Sequence, residues 1–415
     1  MQISLKNISK IKEADIKING ITIIAGENNT GKSSVGKALW AIFNSFYNID
    51  KELENERENL IDFKLANYFK ENAEISTQTF WALKYTLTKK LILESNKTLE
   101  NIREIIFNEI KNLENIKNES VNEIVTEIYE ILSLDENFIL KIHFQDILLS
   151  EFNGQVNNLY NQDEGIIEIN IGKQTIKATC KAQKVEDIKN NSKNEKLNLS
   201  TKAIYIDDPY VLDNLSSLNF ERNTHKRDLK SLLIEKKEKS IIENALMEKQ
   251  LEKINQKLEE IFKGELIFNF NEKKVKLKNS HEDMDMRNLS TGVKTFAILK
   301  NLIINGALEK KGTIILDEPE IHLHPEWQLI FAEIIVLLQK ELDLHILLAT
   351  HSPYFLRAIQ VYASKYEIAN KCKYYLAENF ENSSTIKDVS EEIELIFQKL
   401  AKPLQKLEDL TYEWL

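Results

Sequence analysis

Apolar and polar residues alternate between Gln2 and Ile24, in Ile3-Ser4-Leu5-Lys6 and again in Ala14-Asp15-Ile16-Lys17-Ile18, and the pattern ends in the apolar run Ile21-Thr22-Ile23-Ile24. Successive side chains of a strand point to opposite faces, so this pattern predicts a strand pair feeding a buried strand. After a Gly-containing turn, Ser33 to Phe46 lacks Pro and is rich in helix formers, which predicts a helix. From about 47 to 141 the chain has no Gly or Pro and is dense in Leu, Ile, Glu, Lys and Asn, the composition of an all-helical insertion. Alternation returns at Gly165 to Ala178, and a Lys/Asn-rich polar stretch from Asp187 to Lys202 reads as an exposed loop. Ala203 to Ile206 is a short predicted strand stopped by Asp207-Asp208-Pro209, and a second helical segment runs from about Val211 to Phe262. Its end carries Leu251, Ile254, Leu258 and Ile261 in one narrow stripe, which would seat on the protein's own core or, less simply, on a partner helix. Beyond Gly264 the pattern alternates between strands (Leu266 to Phe270, Thr313 to Leu316, His345 to Ala349) and helices (Val293 to Ile304, Glu326 to Lys340). Such alternation predicts an α/β fold with a largely parallel sheet, interrupted by two helical insertions.

Composition sharpens this picture. Gly (11) and Pro (5) together make up about 4% of 415 residues, against about 12% in soluble proteins generally. That scarcity excludes a collagen-like chain, a Gly/Pro-rich linker protein and a turn-dense β sandwich. Four of the eleven glycines fall between residues 20 and 36, so the few backbone breakers are concentrated. A formal charge of −10 argues against a globally basic nucleic-acid coat while leaving room for a local basic patch. Two distant cysteines, Cys180 and Cys372, form neither a disulfide framework nor a metal pair and fit a reducing compartment. The chain has no apolar run near the eighteen residues of a membrane span, and Met1 to Lys10 lacks the apolar core of a signal peptide. A soluble, cytoplasmic protein with no membrane partner is expected.

Four short motifs carry chemistry. Gly26-Glu27-Asn28-Asn29-Thr30-Gly31-Lys32-Ser33 fits the phosphate-loop pattern and stands between a predicted strand and a predicted helix, as that pattern requires. Backbone N–H groups from Asn28 to Ser34 would wrap a phosphate, Lys32 would neutralise β and γ oxygens, and Ser33 would offer its hydroxyl to Mg²⁺. The apolar run Thr313 to Leu316 delivers Asp317 and Glu318 to the carboxyl edge of the sheet, where Asp317 can hold Mg²⁺ and Glu318 can take a proton from attacking water. Leu289-Ser290-Thr291-Gly292-Val293-Lys294 precedes a helix and by itself is a generic anion-binding cap. Ala349-Thr350-His351-Ser352-Pro353 ends another apolar strand and would put an imidazole at the same edge. His322-x-His324 lacks a third ligand and is a weak metal signal.

In this order and wording, GENNTGKSS, LSTGVK, LDEPEIHLHPEWQ and ATHSPYFL, the motifs resemble the ATPase heads of the SMC, RecF and OLD families within the ABC-type ATPases. The plan is similar to the stand-alone ATPases of bacterial anti-phage systems, such as the PtuA-like and AriA-like subunits. The resemblance implies a P-loop NTPase of ABC-head type with a mixed sheet, discontinuous over about 1–46, 142–210 and 263–370. Helical insertions would occupy 47–141 and 211–262, with a C-terminal strand and helix at 371–415. It implies ATP and Mg²⁺ as cofactors, and a head-to-tail homodimer or a higher oligomer. Ser290 and Gly292 would reach the γ-phosphate of the partner's ATP, and His351 would sense the γ-phosphate in its own chain. A glutamine that couples nucleotide to the head is also implied; Gln155 is the choice, as nucleotide and metal ligand, with Gln145 the competitor.

Thr291 and Val293 depart from the Gly and Gln more often found in SMC-type signatures. Only 64 residues follow His351, too few for the Toprim nuclease domain of OLD proteins, so a nuclease would have to be a separate effector. The expected activity is an ATP-hydrolysing switch that controls such an effector, or DNA or RNA, in anti-phage defence. RecF-like DNA repair is the alternative, and a transporter subunit a remote one. Basic stretches at 181–202 and 221–239 are candidate nucleic-acid contacts, although solvated surface explains them more simply.

Overall fold

The computed structural model describes residues 1–72, 76–111, 118–190, 199–215, 224–237, 240–262, 266–269, 272–277 and 281–413. The strands are β1 (Gln2–Ile8), β2 (Ile11–Lys17), β3 (Ile21–Gly26), β4 (Gly165–Ile171), β5 (Gln174–Lys181), β6 (Lys184–Asn190), β7 (Ala203–Ile206), β8 (Leu266–Asn269), β9 (Lys274–Leu277), β10 (Met284–Asp285), β11 (Thr313–Asp317), β12 (His345–Thr350), β13 (Cys372–Phe380) and β14 (Ser383–Asp388). The helices are α1 (Lys32–Ser45), α2 (Ile49–Asn72), α3 (Thr77–Leu93), α4 (Leu99–Ile110), α5 (Asn118–Ser133), α6 (Glu136–Glu151), α7 (His225–Ile234), α8 (Ile241–Gln250), α9 (Glu252–Phe262), α10 (Thr291–Ile304), α11 (Pro325–Leu342), α12 (Pro353–Lys365) and α13 (Glu394–Glu413).

Among the described residues eleven strands form one mixed sheet in the order β6-β5-β4-β1-β2-β14-β13-β3-β12-β11-β7. The run β13-β3-β12-β11-β7 is parallel throughout, whereas β6-β5-β4-β1-β2 is antiparallel. The strands β3, β11 and β7 are buried at every position, as strands covered on both faces must be. Ile204, Ile206, Ile314, Leu316, Ile346 and Leu348 point into a core built with α9, α10, α11 and α12. The alternate positions face α1. There Gly36 allows close approach, since a Cβ on it would come within 2.9 Å of Ile315 Cγ2 and 3.3 Å of the Tyr205 hydroxyl.

By contact density the chain divides into two compact units, one of residues Met1–Ser45, His143–Leu197 and Thr201–Leu415, the other of Phe46–Ile142 with Asn198–Ser200. The second unit is helical and has its own core, with Ile61, Leu65, Phe69, Leu87, Leu91, Ile102, Ile106 and Ile128 nearly or fully inaccessible. In the first unit Leu251, Ile254, Leu258 and Ile261 lie in the shared core with α10 and α11, so the stripe seats on its own protein.

Two local readings need correction. The polar stretch from Asp187 is not all loop, because β6 continues to Asn190 on the register set by β5; 191–198 lie outside the described residues. The C-terminal segment supplies two strands, and β13 enters the sheet beside β3, pairing Ala377 with Gly26. Parts of both basic stretches, and Gly264, also fall outside the described residues. Among the described residues no helix is long and apolar enough to cross a membrane.

Candidate functional site

The carboxyl ends of β3, β11 and β7 open into a cavity of about 480 Å³, lined by Ser9, Lys10, Asn28, Asn29, Thr30, Gly31, Lys32, Ser33, Ser34, Asp207, Asp317, Glu318 and Ile321. The loop from β3 to α1 forms its floor. Asn29 (φ 61°) and Gly31 (φ 82°) adopt left-handed backbone. Gly31 is doubly constrained, since a Cβ there would also come within 2.7 Å of Ile11 Cγ1. Thr30 donates its hydroxyl proton to the Glu27 carbonyl at 2.8 Å, which closes the loop on itself. The N-terminus of α1, with Lys32 and Ser33 among the lining residues, then turns the positive end of its dipole to the cavity.

Lys32 is 4% exposed, and its ammonium donates to the carbonyls of Gly26 (3.1 Å) and Glu27 (2.8 Å). Its third neighbour is Glu318 Oε1 at 3.4 Å. His351 Nδ1 stands 3.3 Å from the same oxygen. Glu318 itself has φ 49°, a strained value for a residue with a side chain, and its N–H donates to the Ala349 carbonyl at 2.9 Å. The turn after β11 is thus pinned to the end of β12.

Asp317 has a different environment. Tyr205, on the adjacent strand, donates its hydroxyl proton to Asp317 Oδ2 at 2.9 Å, while Oδ1 is buried without a hydrogen-bond partner. Burial raises the Asp317 carboxyl above the ordinary aspartate value, the nearby Ser33 and Tyr205 hydroxyls oppose that rise, and the charges of Glu318 and Asp207 add to it. A hydrated divalent cation supplies donors and positive charge, so this half-satisfied carboxylate together with Ser33 fits Mg²⁺.

Sequence reasoning missed several residues behind this wall. His225 is buried, its Nδ1 2.6 Å from Glu151 Oε1 and its Nε2 3.0 Å from Asp207 Oδ2. Tyr205 stacks on the imidazole at 4.3 Å between ring centres. Burial alone would push the imidazole down, but the two carboxylates override it and hold the pKa up at about 9, so His225 is charged at neutral pH. Burial likewise raises the Asp207 carboxyl, and His225 with Lys226 outweighs it, leaving the carboxyl below its ordinary value. A signal was present in the chain, because Ile-Asp-Asp-Pro after β7 repeats the apolar-acid-acid-Pro pattern of Leu-Asp-Glu-Pro after β11. Glu320 was missed too. It is 1% exposed, accepts from the Thr350 hydroxyl and, at 3.3 Å, from the His351 N–H, and burial raises its carboxyl.

The remaining motif residues lie elsewhere. Ser290 is exposed as the N-cap residue of α10 with no capping hydrogen bond of its own. Gly292 is buried, and a Cβ there would press within 3.1 Å of the Trp327 ring and the His322 carbonyl. Gln155 sits exposed in the turn after α6 and is not among the cavity-lining residues. Gln145 accepts from the Val185 N–H at 3.1 Å. His324 accepts from the Glu326 N–H as the cap of α11, and the His322 ring meets Tyr210 edge-on. No cluster of three or more metal-ligating side chains occurs among the described residues.

The family of AAA ATPase domains matches residues 1–356. This chain belongs to the AAA ATPase domain family. The match takes in the phosphate loop, the β11 acids and His351. Among solved structures, this AAA ATPase domain is similar to the SMC head domain from Thermotoga maritima, at 12% identity over 94% of this chain and 98% of that one, with a TM-score of 0.39. An Smc head with an extended coiled coil, bound to the C-terminal domain of ScpA and derived from Pyrococcus furiosus, gives 12% identity over 99% and 98%, with a TM-score of 0.39. An SmcHead bound to the C-winged helix domain of ScpA gives 14% over 95% and 98%, with a TM-score of 0.41.

Proposed function

We propose that this chain binds ATP with Mg²⁺ in the β3-β11-β7 cavity and hydrolyses it to ADP and phosphate. The observation that supports this reading is the convergence of Lys32, Ser33, Asp317 and Glu318 on one cavity, with His351 3.3 Å from Glu318. The loop N–H groups from Asn28 to Ser34 and the α1 dipole would cradle the β-phosphate. Lys32 is held at 3.4 Å from Glu318, and a γ-phosphate beside it offers a stronger counter-charge. Lys32 then turns from Glu318 to the phosphate, and the released carboxylate faces attacking water. Water attacks the γ-phosphorus, the bond to the bridging β-γ oxygen breaks, and the water proton passes to Glu318. Ser33 and Asp317 would hold Mg²⁺, which when bound would neutralise phosphate charge. His351, 3.3 Å from the same Glu318 oxygen, would report the γ-phosphate.

Ser290 and Gly292 lie on a different element from the cavity lining, a layout that supports their use in trans within a head-to-tail homodimer closed by two ATP. In that reading the dimer is a switch for a separate effector such as a nuclease, or for DNA or RNA, in cytoplasmic anti-phage defence. This part rests on the motif resemblance.

The test is Glu318→Gln. The variant should bind ATP, accumulate as an ATP-dependent dimer in light scattering, and lose turnover by roughly 10²- to 10⁴-fold, the range for a general base. Hydrolysis near the wild-type rate overturns the assignment.

A further inference from the structure

We infer that Asp207 is the second carboxylate of the divalent-cation site, holding a water of the hydrated ion beside Asp317, a place the motif resemblance gives to Gln155. This rests on the ATP reading above and goes further by naming a ligand. β7 and β11 are parallel neighbours with Ile206 opposite Leu316, so the next residue on each, Asp207 and Asp317, emerges side by side at the sheet edge. Side chains alternate across a strand, and Tyr205 and Ile315 both lie against α1 at Gly36. Asp207 and Asp317, two residues further on, therefore share that face, adjacent strands being roughly 4.8 Å apart. Both line the cavity with Ser33, and Gln155 does not.

A pair of acids is not by itself a site. The independent sign is Asp317 Oδ1, a buried acceptor without a donor on a residue only 9% exposed that lines the same cavity. The Tyr205 hydroxyl at Oδ2 fixes that carboxylate, so its idle oxygen is held in place to receive a hydrogen bond from outside the protein. The cations nearest Asp207, His225 Nε2 at 3.0 Å and Lys226 Nζ at 3.6 Å, both stand at Oδ2. Lys32 does not fill the gap between the acids, because its ammonium is taken by two carbonyls and Glu318. Mg²⁺ keeps several waters and uses one or two carboxylates plus substrate phosphates, which is the set this edge offers.

The probe is Mn²⁺, counted by the electron-paramagnetic-resonance signal of the free ion in the presence of the non-hydrolysed analogue AMPPNP. Asp207→Asn should weaken Mn²⁺ binding about tenfold or more, with binding of fluorescent mant-ATP in excess EDTA unchanged. Unchanged Mn²⁺ affinity in Asp207→Asn overturns the inference, as does its loss in Gln155→Ala alone. A second measurement uses only the wild-type protein. Fe²⁺ with ascorbate and peroxide, loaded in place of Mg²⁺, cleaves backbone next to the ion, and mass spectrometry should find cuts near both Asp317 and Asp207. Cuts near Asp317 and Gln155 that spare Asp207 overturn the inference. If the wild-type chain binds no nucleotide under either condition, the ATP reading falls and takes this one with it.

Discussion

His225 is the point at which a single substitution should do most damage to the sheet edge. Glu151, at the end of α6, is buried with its side chain 1% exposed, and its Oε1 lies 2.6 Å from His225 Nδ1. Its Oε2 accepts from the His225 backbone N–H at 3.1 Å, at the first turn of α7. His225→Leu removes the imidazolium but spares that backbone bond and the helix dipole. Breaking a buried ion pair by deleting one partner costs about 3–5 kcal/mol, because a desolvated charge is left behind. The retained N–H and dipole offset part of that, which places the expected loss near the lower bound, at about 3 kcal/mol. Glu151→Gln leaves the cation paired with Asp207 and keeps an acceptor, so about 1–2 kcal/mol is expected. The double variant strands no charge at position 151, Asp207 keeping Lys226 at 3.6 Å in it as in His225→Leu, and should cost at least about 1 kcal/mol less than the two singles added together. The assay is urea unfolding at pH 7, with circular dichroism and fluorescence required to trace one transition and with unchanged slopes. A loss under about 1 kcal/mol for His225→Leu, or strict additivity in the cycle, would refute the view that Glu151 depends on this cation.

Other outcomes follow from the same contacts. Gly26→Ala puts a Cβ into the Ala377 carbonyl of β13, a backbone atom that cannot rotate away, so a loss of about 1–3 kcal/mol is expected in thermal unfolding even without nucleotide. Glu320→Ala strands the Thr350 hydroxyl and the His351 N–H and should cost about 2 kcal/mol, whereas Glu320→Gln keeps an acceptor and should cost less than half as much; equal melting temperatures for the two variants would contradict this. Glu333 is buried on α11, and burial acting on its carboxyl is outweighed by Lys365 at 2.8 Å and the Tyr366 hydroxyl at 2.6 Å, which hold it below 4.5. The sign is that of a depressed acid. The stabilisation is present above 4.5, about 1 kcal/mol, and vanishes as pH falls through the lowered value, so the urea midpoints of wild type and Glu333→Gln should converge only below pH 4.5.

Residues whose position is set by local geometry could be located from the chain. The phosphate loop requires strand, turn and helix within a dozen residues, and Asp317, Glu318 and His351 each stand where an apolar strand runs out. What escaped was set by pairing between distant segments. The Ile-Asp-Asp-Pro run marks Asp207 as the end of a strand but does not say that β7 will lie against β11, which is more than a hundred residues away in the chain. Glu151 and His225 belong to separate helices, 74 positions apart, and only the fold makes them a pair. Gln155 shows the converse case, since order along the chain suggested a nucleotide contact for a residue that sits in an exposed turn and is not among the cavity-lining residues. The hairpin β13–β14 was half seen for the same reason, since its place beside β3 depends on the other end of the chain.

The strained turn at Glu318 joins these levels. Its N–H is tied to the Ala349 carbonyl, and two residues later Glu320 reaches across to Thr350 and His351. Further along, Gln328 accepts from the Ser352 hydroxyl at 3.2 Å. The segment from 318 to 328 is therefore stitched at three points to the turn that carries His351. The same segment supplies the His322 carbonyl and the Trp327 ring against which Gly292 packs. Any displacement of His351 by a γ-phosphate must be taken up by these hydrogen bonds or passed to the wall behind the signature glycine. Packed walls of this type favour discrete rearrangement over gradual yielding. In the proposed dimer, a γ-phosphate sensed at His351 would thus alter, through these hydrogen bonds and the packing of the 318–328 segment, the surface that Gly292 offers to a partner.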